Sequence, residues 1–567
     1  MRKRRILDFF TKKTDQRSSE IFPEEIFLDS TNLPSFDIHQ FEGRMEKPIS
    51  KGVFIVAGLF FFLIGVGYLV KVADLQIVEG SSFSARSTNN RLQHELFFAE
   101  RGVITDRNGV LLAWNGPNKA SPEFSRREYT AIAGHAHVLG YVRYPAIDAN
   151  GFYYETEYKG VTGVEEFYNS YLSGKNGLKI IETTALGDIT SENAITPAEH
   201  GETLRLSIDS EFQEKFYDII RELSNDVGFL GGAAALMNLK TGEILAMTSY
   251  PEYSPDLLTN GADNEQITVA LNAPGTPFLN RITSGLYTPG SIMKAYVALG
   301  ALNEKIISPD RQILSTGSLV IPNIYDSENA SVFNDWKAHG YVDMRRALAV
   351  SSNVYFYEIG GGYKDQAGLG ITNIEKYFRM FGFGSPVEAE FFRGPSGTIP
   401  NPSWKRSTFE DDWRLGDTYN TAIGQYGVQV VPMQALIGVA TIANEGVVPV
   451  PTIIKTDAPL FGKPVDIPRE YFEVVKEGMR QGVLEGTAAA LNVSGLNIAA
   501  KTGTAEIGSL KQYVNSWVTG FLPYDDPKYA FVVVMEKGRR SNLIGAPAVA
   551  RQFFEWMAIN RWEEFVK

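Results

Sequence analysis

Residues Tyr287 to Leu302 read YTPGSIMKAYVALGAL, and this stretch decides the fold. Pro289 and Gly290 break the chain, and Ser291 stands where a helix begins. Ser291 and Lys294 are three residues apart, so they share one helical face within a single turn. The body of the helix (Ile292, Met293, Ala295, Tyr296, Val297, Leu299, Leu302) is apolar on every side, which predicts burial. A lysine in the first turn opposes the helix dipole. A buried lysine also loses hydration, so its pKa falls and the neutral amine can accept a proton from serine. A capping serine beside a surface lysine does not account for this setting, and a local rule broken at a buried helix start is a mark of function. S-x-x-K occurs nowhere else in the chain.

The surroundings read as an α+β domain. LRLSID (204–209) is a short alternating segment, and EFQEKFYDIIRELSNDVG (211–228) is an amphipathic helix closed by glycine. GGAAALMNLKTGEILAMTSYP (231–251) reads as two apolar strands joined by a turn at Lys240-Thr241-Gly242. Toward the end, YAFVVVMEKG (529–538) reads as a buried strand and ARQFFEWMAINRWEEF (550–565) as a closing helix. A strand pair, then helices, then strands and a helix predicts an antiparallel sheet flanked by helices.

Two further motifs follow the serine. Ser351-Ser352-Asn353 places a hydroxyl and a carboxamide two residues apart, able to relay a proton and hold a peptide backbone. S-x-N also occurs at Ser30, Ser87, Ser191 and Ser327, where turn or loop roles are expected. Lys501-Thr502-Gly503-Thr504 offers a cation and two hydroxyls to a carboxylate, and Gly503 allows a close backbone approach. Lys240-Thr241-Gly242 repeats the letters, but it precedes the serine, lacks the second threonine and is explained as a turn, so Lys501 is read as the functional copy.

Composition removes whole classes of function. The net charge of −12 leaves no basic face for nucleic acid. The absence of cysteine excludes disulfides, thiolate metal sites and cysteine nucleophiles, and the 6 histidines form no zinc-binding pattern. Val53 to Val70 (VFIVAGLFFFLIGVGYLV) is an uncharged run between Lys51 and Lys71, expected to be an uncleaved membrane anchor. Basic residues before it (Arg2, Lys3, Arg4, Arg5, Lys12, Lys13, Arg17, Arg44, Lys47, Lys51) place the N-terminus on the cytoplasmic side and the bulk outside. The expected division is a cytoplasmic tail (1–51), an anchor (52–72), a non-catalytic mixed β pedestal (73–203) and a catalytic domain (204–567). Within the pedestal, Arg107-Asn108-Gly109 signals a hairpin turn between two apolar runs.

S-x-x-K, S-x-N and K-T-G in this order resemble the motif set of the active-site serine penicillin-recognising enzymes. The chain resembles the class B penicillin-binding proteins, and among them the elongation-specific type. The pedestal likeness lies in RGVITDRNGVLLA (101–113), HVLGYV (137–142) and GVEEFYNSYLSGKNG (163–177). The catalytic likeness lies in TGEILAM (241–247), LNRITSGLYTPGSIMK (279–294), HGYVDMRRALAVSSN (339–353), GDTYNTAIGQYGVQVVPMQAL (416–436) and KTGTAE (501–506). The segment with Asp417, Gly424 and Gln425 tilts the choice to the elongation type over the division type.

The resemblance implies a penicillin-binding, β-lactamase-like fold and a D,D-transpeptidase of the bacterial inner membrane. Ser291 would attack the penultimate D-alanine of a stem peptide ending in D-Ala-D-Ala, with Lys294 as base. Ser351 and Lys501 would return a proton to the leaving D-alanine. Thr502 and Thr504 would hold the terminal carboxylate and Asn353 the stem backbone, with an oxyanion hole from the N–H groups of Ser291 and Thr504. It also implies inhibition by β-lactams, and as partners a SEDS-type glycan polymerase and other membrane proteins of the elongation complex. No cofactor is implied. Some members carry zinc on a set that includes cysteine; with none present, no metal is predicted, although Asp335 and His339 are available. The same motifs suit a D,D-carboxypeptidase, a β-lactamase or an inactive β-lactam sensor. The anchor and pedestal argue against the lactamase, and the complete motif set argues against the sensor.

Overall fold

A computed structural model describes residues 51–81, 83, 92–149, 153–183, 189–261, 264–323, 329–508 and 510–561. The cytoplasmic tail expected at 1–51 falls, save Lys51, outside these residues, as do Ser30, Ser87, Ser327 and the last residues of the closing segment. The chain divides into two units, Met1–Leu92 and Gln93–Lys567.

The first unit contains helix α1 (Lys51–Ala73), continued by one π-helical turn at Asp74–Val78. The apolar span Phe54–Val78 has 25 residues and is not buried among the described residues. At ~1.5 Å per residue it reaches roughly 37 Å, more than the ~30 Å hydrocarbon core of a bilayer. It is a candidate membrane span by length and composition.

The second unit contains a small sheet of β1 (Ile104–Thr105), β2 (Leu111–Gly116) and β3 (Arg126–Tyr129), beside helix α2 (Gly163–Phe167). β1 and β2 are antiparallel across the Arg107-Asn108-Gly109 turn, where Asp106 Oδ1 accepts the N–H groups of Asn108 and Val110. β4 (Leu204–Arg205) then pairs parallel with β1, giving the order β4-β1-β2-β3. Glu165 on α2 is fully buried between Arg101 Nε (2.6 Å) and Arg127 Nε (2.8 Å), whose side chains are equally buried. Burial alone would push the Glu165 carboxyl up, and the two guanidinium groups hold it below its ordinary value instead.

Beyond β4, helix α3 (Ser210–Val227) is capped by Asp209, whose carboxylate accepts the N–H groups of Glu211 and Phe212. β5 (Gly231–Asn238) and β6 (Ile244–Tyr250) form the expected hairpin, with Lys240 exposed in its turn. Helices α4 (Lys294–Asn303), α5 (Met344–Ala349), α6 (Asn353–Gly361), α7 (Pro432–Ala443) and α8 (Arg469–Glu485) follow. The chain returns to the sheet through β7 (Ala499–Ile507), β8 (Tyr513–Leu522) and β9 (Tyr529–Arg539), then closes with α9 (Ala546–Asn560). The five strands are antiparallel in the order β6-β5-β9-β8-β7, which leaves β7 on an edge.

Both sheet faces are covered, which explains the near-continuous apolar strands. Ala234, Leu236, Val533 and Met535 point into a core with Phe212 and Phe216 of α3 and Phe553 of α9. Ala233, Ala235, Val532 and Val534 point into the larger core, which contains the whole apolar run of α4. The five-stranded sheet and its covering helices thus form the expected α+β architecture. The helix predicted from Ser291 begins differently: Gly290–Met293 is a 3₁₀ turn, and α geometry starts at Lys294. Gly290 has φ 59°, so the chain enters the turn from the left-handed region that glycine tolerates.

Candidate active site

The turn that carries Ser291 is pressed against β7 by two glycines. A Cβ on Gly290 would lie 2.6 Å from Thr504 O, and one on Gly503 would lie 2.5 Å from Pro289 O. The turn is also tied by Gly290 N–H to Gly424 O (3.0 Å) and by Trp517 Nε1 to Thr288 O (3.0 Å). Ser291 is therefore fixed beside an edge strand and is partly exposed.

Lys294 is fully buried, as the apolar helix demanded. Its Nζ donates to Ser351 O (2.8 Å) and Asn353 Oδ1 (2.7 Å), and lies 3.4 Å from Ser351 Oγ. Among the described residues it makes no hydrogen bond to Ser291 Oγ; catalytic contacts often tighten only when substrate binds. Burial pushes the Lys294 amine down to about 7, partly opposed by the Asp335 carboxylate. With two acceptors already fixed, a neutral amine keeps its lone pair for a proton.

Ser351 sits between two lysines. Lys501 Nζ donates to Ser351 Oγ at 2.8 Å and to Thr502 O at 2.9 Å. Lys501 is buried, and desolvation followed by the charge of Lys294 holds its amine well below the ordinary value. Ser351 has φ 56°, a left-handed conformation unusual for serine and a form of strain found at functional sites.

The period of two along β7 separates its residues. Lys501 and Gly503 are buried, whereas Thr502 and Thr504 lie on the more open face. Thr502 Oγ1 donates to Thr487 Oγ1 at 2.7 Å, and Gln425 Nε2 reaches Thr504 O at 3.4 Å. The structure thus brings Ser351, Asn353, Lys294 and Lys501 into one hydrogen-bonded cluster, with Ser291, Thr502, Gly503 and Thr504 on the adjoining turn and strand. Thr487 and the carboxylate of Asp335 join it without having been named for this role from sequence, since neither lies in a motif. Asp335 and His339 approach to 3.6 Å, and no group of three metal-ligating side chains occurs among the described residues. A cavity of about 830 Å³ lined by Tyr141, Phe167, Tyr253 and Phe391 includes none of Ser291, Lys294, Ser351, Asn353 and Lys501, so the site is recognised by its chemistry.

Comparison with known families agrees with this geometry. The model of the penicillin binding protein transpeptidase domain matches residues 232–555, more than half of the chain. This chain belongs to the penicillin-binding protein transpeptidase family. The penicillin-binding protein dimerisation domain matches residues 122–206, a stretch that includes β3, α2 and β4. The peptidoglycan D,D-transpeptidase MrdA of Haemophilus influenzae is 28% identical, over 91% of this chain and 92% of that protein. Penicillin-binding protein 2 of Helicobacter pylori, solved in complex with MreC, superposes with a TM-score of 0.69 at 25% identity, covering 83% of this chain and 100% of that one. Penicillin-binding protein 2 of Pseudomonas aeruginosa, in complex with WCK 5153, gives a TM-score of 0.66 at 29% identity, covering 82% and 97%. This penicillin-binding protein is therefore similar to the elongation-type members along most of its length.

Proposed function

We propose that this penicillin-binding protein is a D,D-transpeptidase that cross-links peptidoglycan stem peptides during cell elongation, through an acyl-enzyme on Ser291. The observation that carries the reading is the Lys294–Ser351–Lys501 chain, which gives a proton a continuous path beside the nucleophile turn. Ser291 Oγ attacks the carbonyl carbon of the penultimate D-alanine while its proton passes to Lys294 Nζ. The bond to the terminal D-alanine nitrogen breaks, and that nitrogen takes the proton that Lys294 passes on through Ser351, which Lys501 holds in place, so Lys294 is neutral again. N–H groups of Ser291 and Thr504 stabilise the oxyanion. An amine from a neighbouring stem then attacks the ester, gives its proton to Lys294, and Ser291 leaves reprotonated.

An edge strand beside the serine suits an extended peptide, which can add to β7 as a further strand. Asn353 orients the stem backbone, and Thr502 and Thr504 receive its terminal carboxylate. A division into tail (1–51), anchor (52–72), pedestal (73–203) and transpeptidase domain (204–567) fits this role. The N-terminal basic residues favour a cytoplasmic tail and an extracytoplasmic catalytic domain. The likeness to a relative solved with MreC supports membrane partners of the elongation complex, and the resemblance adds a SEDS-type glycan polymerase.

The test supplies the full chain with a peptide ending in D-Ala-D-Ala and a stem peptide bearing a free amine. Mass spectrometry should find the amide-linked product with release of D-alanine. Release of D-alanine with only the free acid formed would reassign the protein to carboxypeptidation. Rapid turnover of penicillin would sink the transpeptidase reading altogether.

A further inference from the structure

Segment 334–336 grips both sides of Ser351. Asp335 has a fully buried carboxylate. Its Oδ2 accepts from Ser352 Oγ (2.8 Å), Val354 N–H (3.0 Å) and Ser315 Oγ (3.2 Å), and its Oδ1 accepts from Trp336 N–H (2.9 Å). Trp336 Nε1 donates to Val350 O at 3.1 Å. Asn334 O accepts from Asn353 Nδ2 and Tyr357 OH, each at 3.3 Å. Residues 350, 352, 353 and 354 are thereby held from one side, while Lys294 holds Ser351 O from the other. Ser351, the one residue in this run with positive φ, lies in the middle.

We propose that Asp335 is a positioning residue for the transfer step: with Trp336 and Asn334 it clamps residues 350–354 and keeps Ser351 in its left-handed conformation between Lys294 and Lys501. The inference rests on the acyl-enzyme reading above. A left-handed serine is strained and persists only where the surroundings over-determine it. Relaxing Ser351 toward ordinary φ would swing Oγ away from Lys501 Nζ and break the proton path. An ordinary helix cap explains only part of the pattern. Val354 N–H is a capping contact for α6, but the bonds from Ser352 Oγ and from Trp336 to Val350 lie at and before the helix start.

The charges around the clamp are few. Lys294 and His339 face Asp335, with Lys337 beyond the histidine, and Lys501 faces Lys294. Burial would push the Asp335 carboxyl up, but the N–H groups of Asn353 and Val354, the Ser352 hydroxyl and Lys294 hold it below its ordinary value.

The experiment uses full chain in detergent and a reporter β-lactam under stopped flow, separating the initial binding constant from the first-order acylation constant. Asp335→Ala should lower the acylation constant at least tenfold, with initial binding within twofold. Asp335→Asn keeps one acceptor oxygen, replaces the other with an NH2 donor and loses the charge, so it should lower acylation less than Asp335→Ala and move its acid limb to lower pH, because Lys294 loses a neighbouring anion. Trp336→Phe, which removes one bond to Val350, should slow acylation without moving that limb. If Asp335→Ala does not fold, the other two variants carry the test. Unchanged acylation constants in Asp335→Asn and Trp336→Phe at every pH, with only a lowered melting midpoint, would overturn the clamp and leave a helix cap. Failure of the acyl-enzyme reading is separately visible, as undiminished labelling of Ser291→Ala.

Discussion

Lys501 Nζ lies 2.8 Å from Ser351 Oγ, across 150 residues of sequence, and Lys294 Nζ lies 3.4 Å from the same oxygen. One hydroxyl thus links the two cations of the site, and each is held toward its neutral form by burial. Removing that hydroxyl should cost more than a packing change. Ser351→Ala is expected to slow acylation by fluorescent penicillin roughly 100-fold or more, the scale of lost proton-transfer catalysis. Its melting midpoint should stay near that of the parent. A rate within threefold of the parent would show that the relay is dispensable.

The two K-T-G sequences should separate cleanly. Lys240 is exposed in the β5–β6 turn, where Asn238 Oδ1 accepts its backbone N–H at 2.9 Å. Lys240→Ala is expected to label with penicillin at the parental rate, whereas Lys501→Ala should lose labelling by roughly 100-fold. Rates from a gel-based labelling time course suffice to check this.

Stability should rise with pH where the buried amine is neutral only in the folded state. The amine of Lys294 titrates at about 7 when folded and near its ordinary 10.5 when unfolded. Between those values the unfolded chain binds the extra proton, so the contribution of this residue to stability grows with pH by at most about 1.4 kcal/mol per unit. Above the unfolded value the penalty is absent, and below about 7 it is complete. Lys294→Met removes the titration, so melting midpoints from pH 7 to 10 should rise less steeply than in the parent. Parallel slopes would contradict the burial argument.

Gly503 is needed for proximity. Its Cβ position is 2.5 Å from Pro289 O, and backbone cannot give way as a flexible side chain would. Gly503→Ala is expected to cost about 1–3 kcal/mol of stability by overpacking and to abolish measurable acylation by moving the turn that carries Ser291. Circular dichroism and penicillin labelling on one sample check both.

Glu165 tests the buried ion pairs beside the β4-β1-β2-β3 sheet. Glu165→Gln leaves Arg101 and Arg127 buried without their counter-charge, which should destabilise by about 3–5 kcal/mol. A melting curve that resolves the loss, with acylation still measurable below the transition, is the expected result.

Much of this architecture was legible in local patterns. The strands carried it in apolar runs bounded by Lys240-Thr241-Gly242 and by the 529–538 segment, because a sheet covered on both faces needs apolar residues at every position. Lys294 carried it in being a cation inside an apolar helix. The cross-connections were not legible. Asp335 meets Ser352, Ser315 and Val354 through loops that carry no periodicity, and Thr487 reaches Thr502 from the segment beyond α8. The direction of Lys294, toward Ser351 and Asn353, depends on how α4 and α6 pack and on no spacing along the chain.

The central claim is that Ser291 becomes the acyl-enzyme. Intact-mass measurement of the full chain after exposure to penicillin tests it most directly, with peptide mapping and Ser291→Ala as the comparison. The expected result is one added penicillin on the peptide containing Ser291, and none on the variant. Equal labelling of Ser291→Ala, or an adduct mapping to Ser351, would contradict the account.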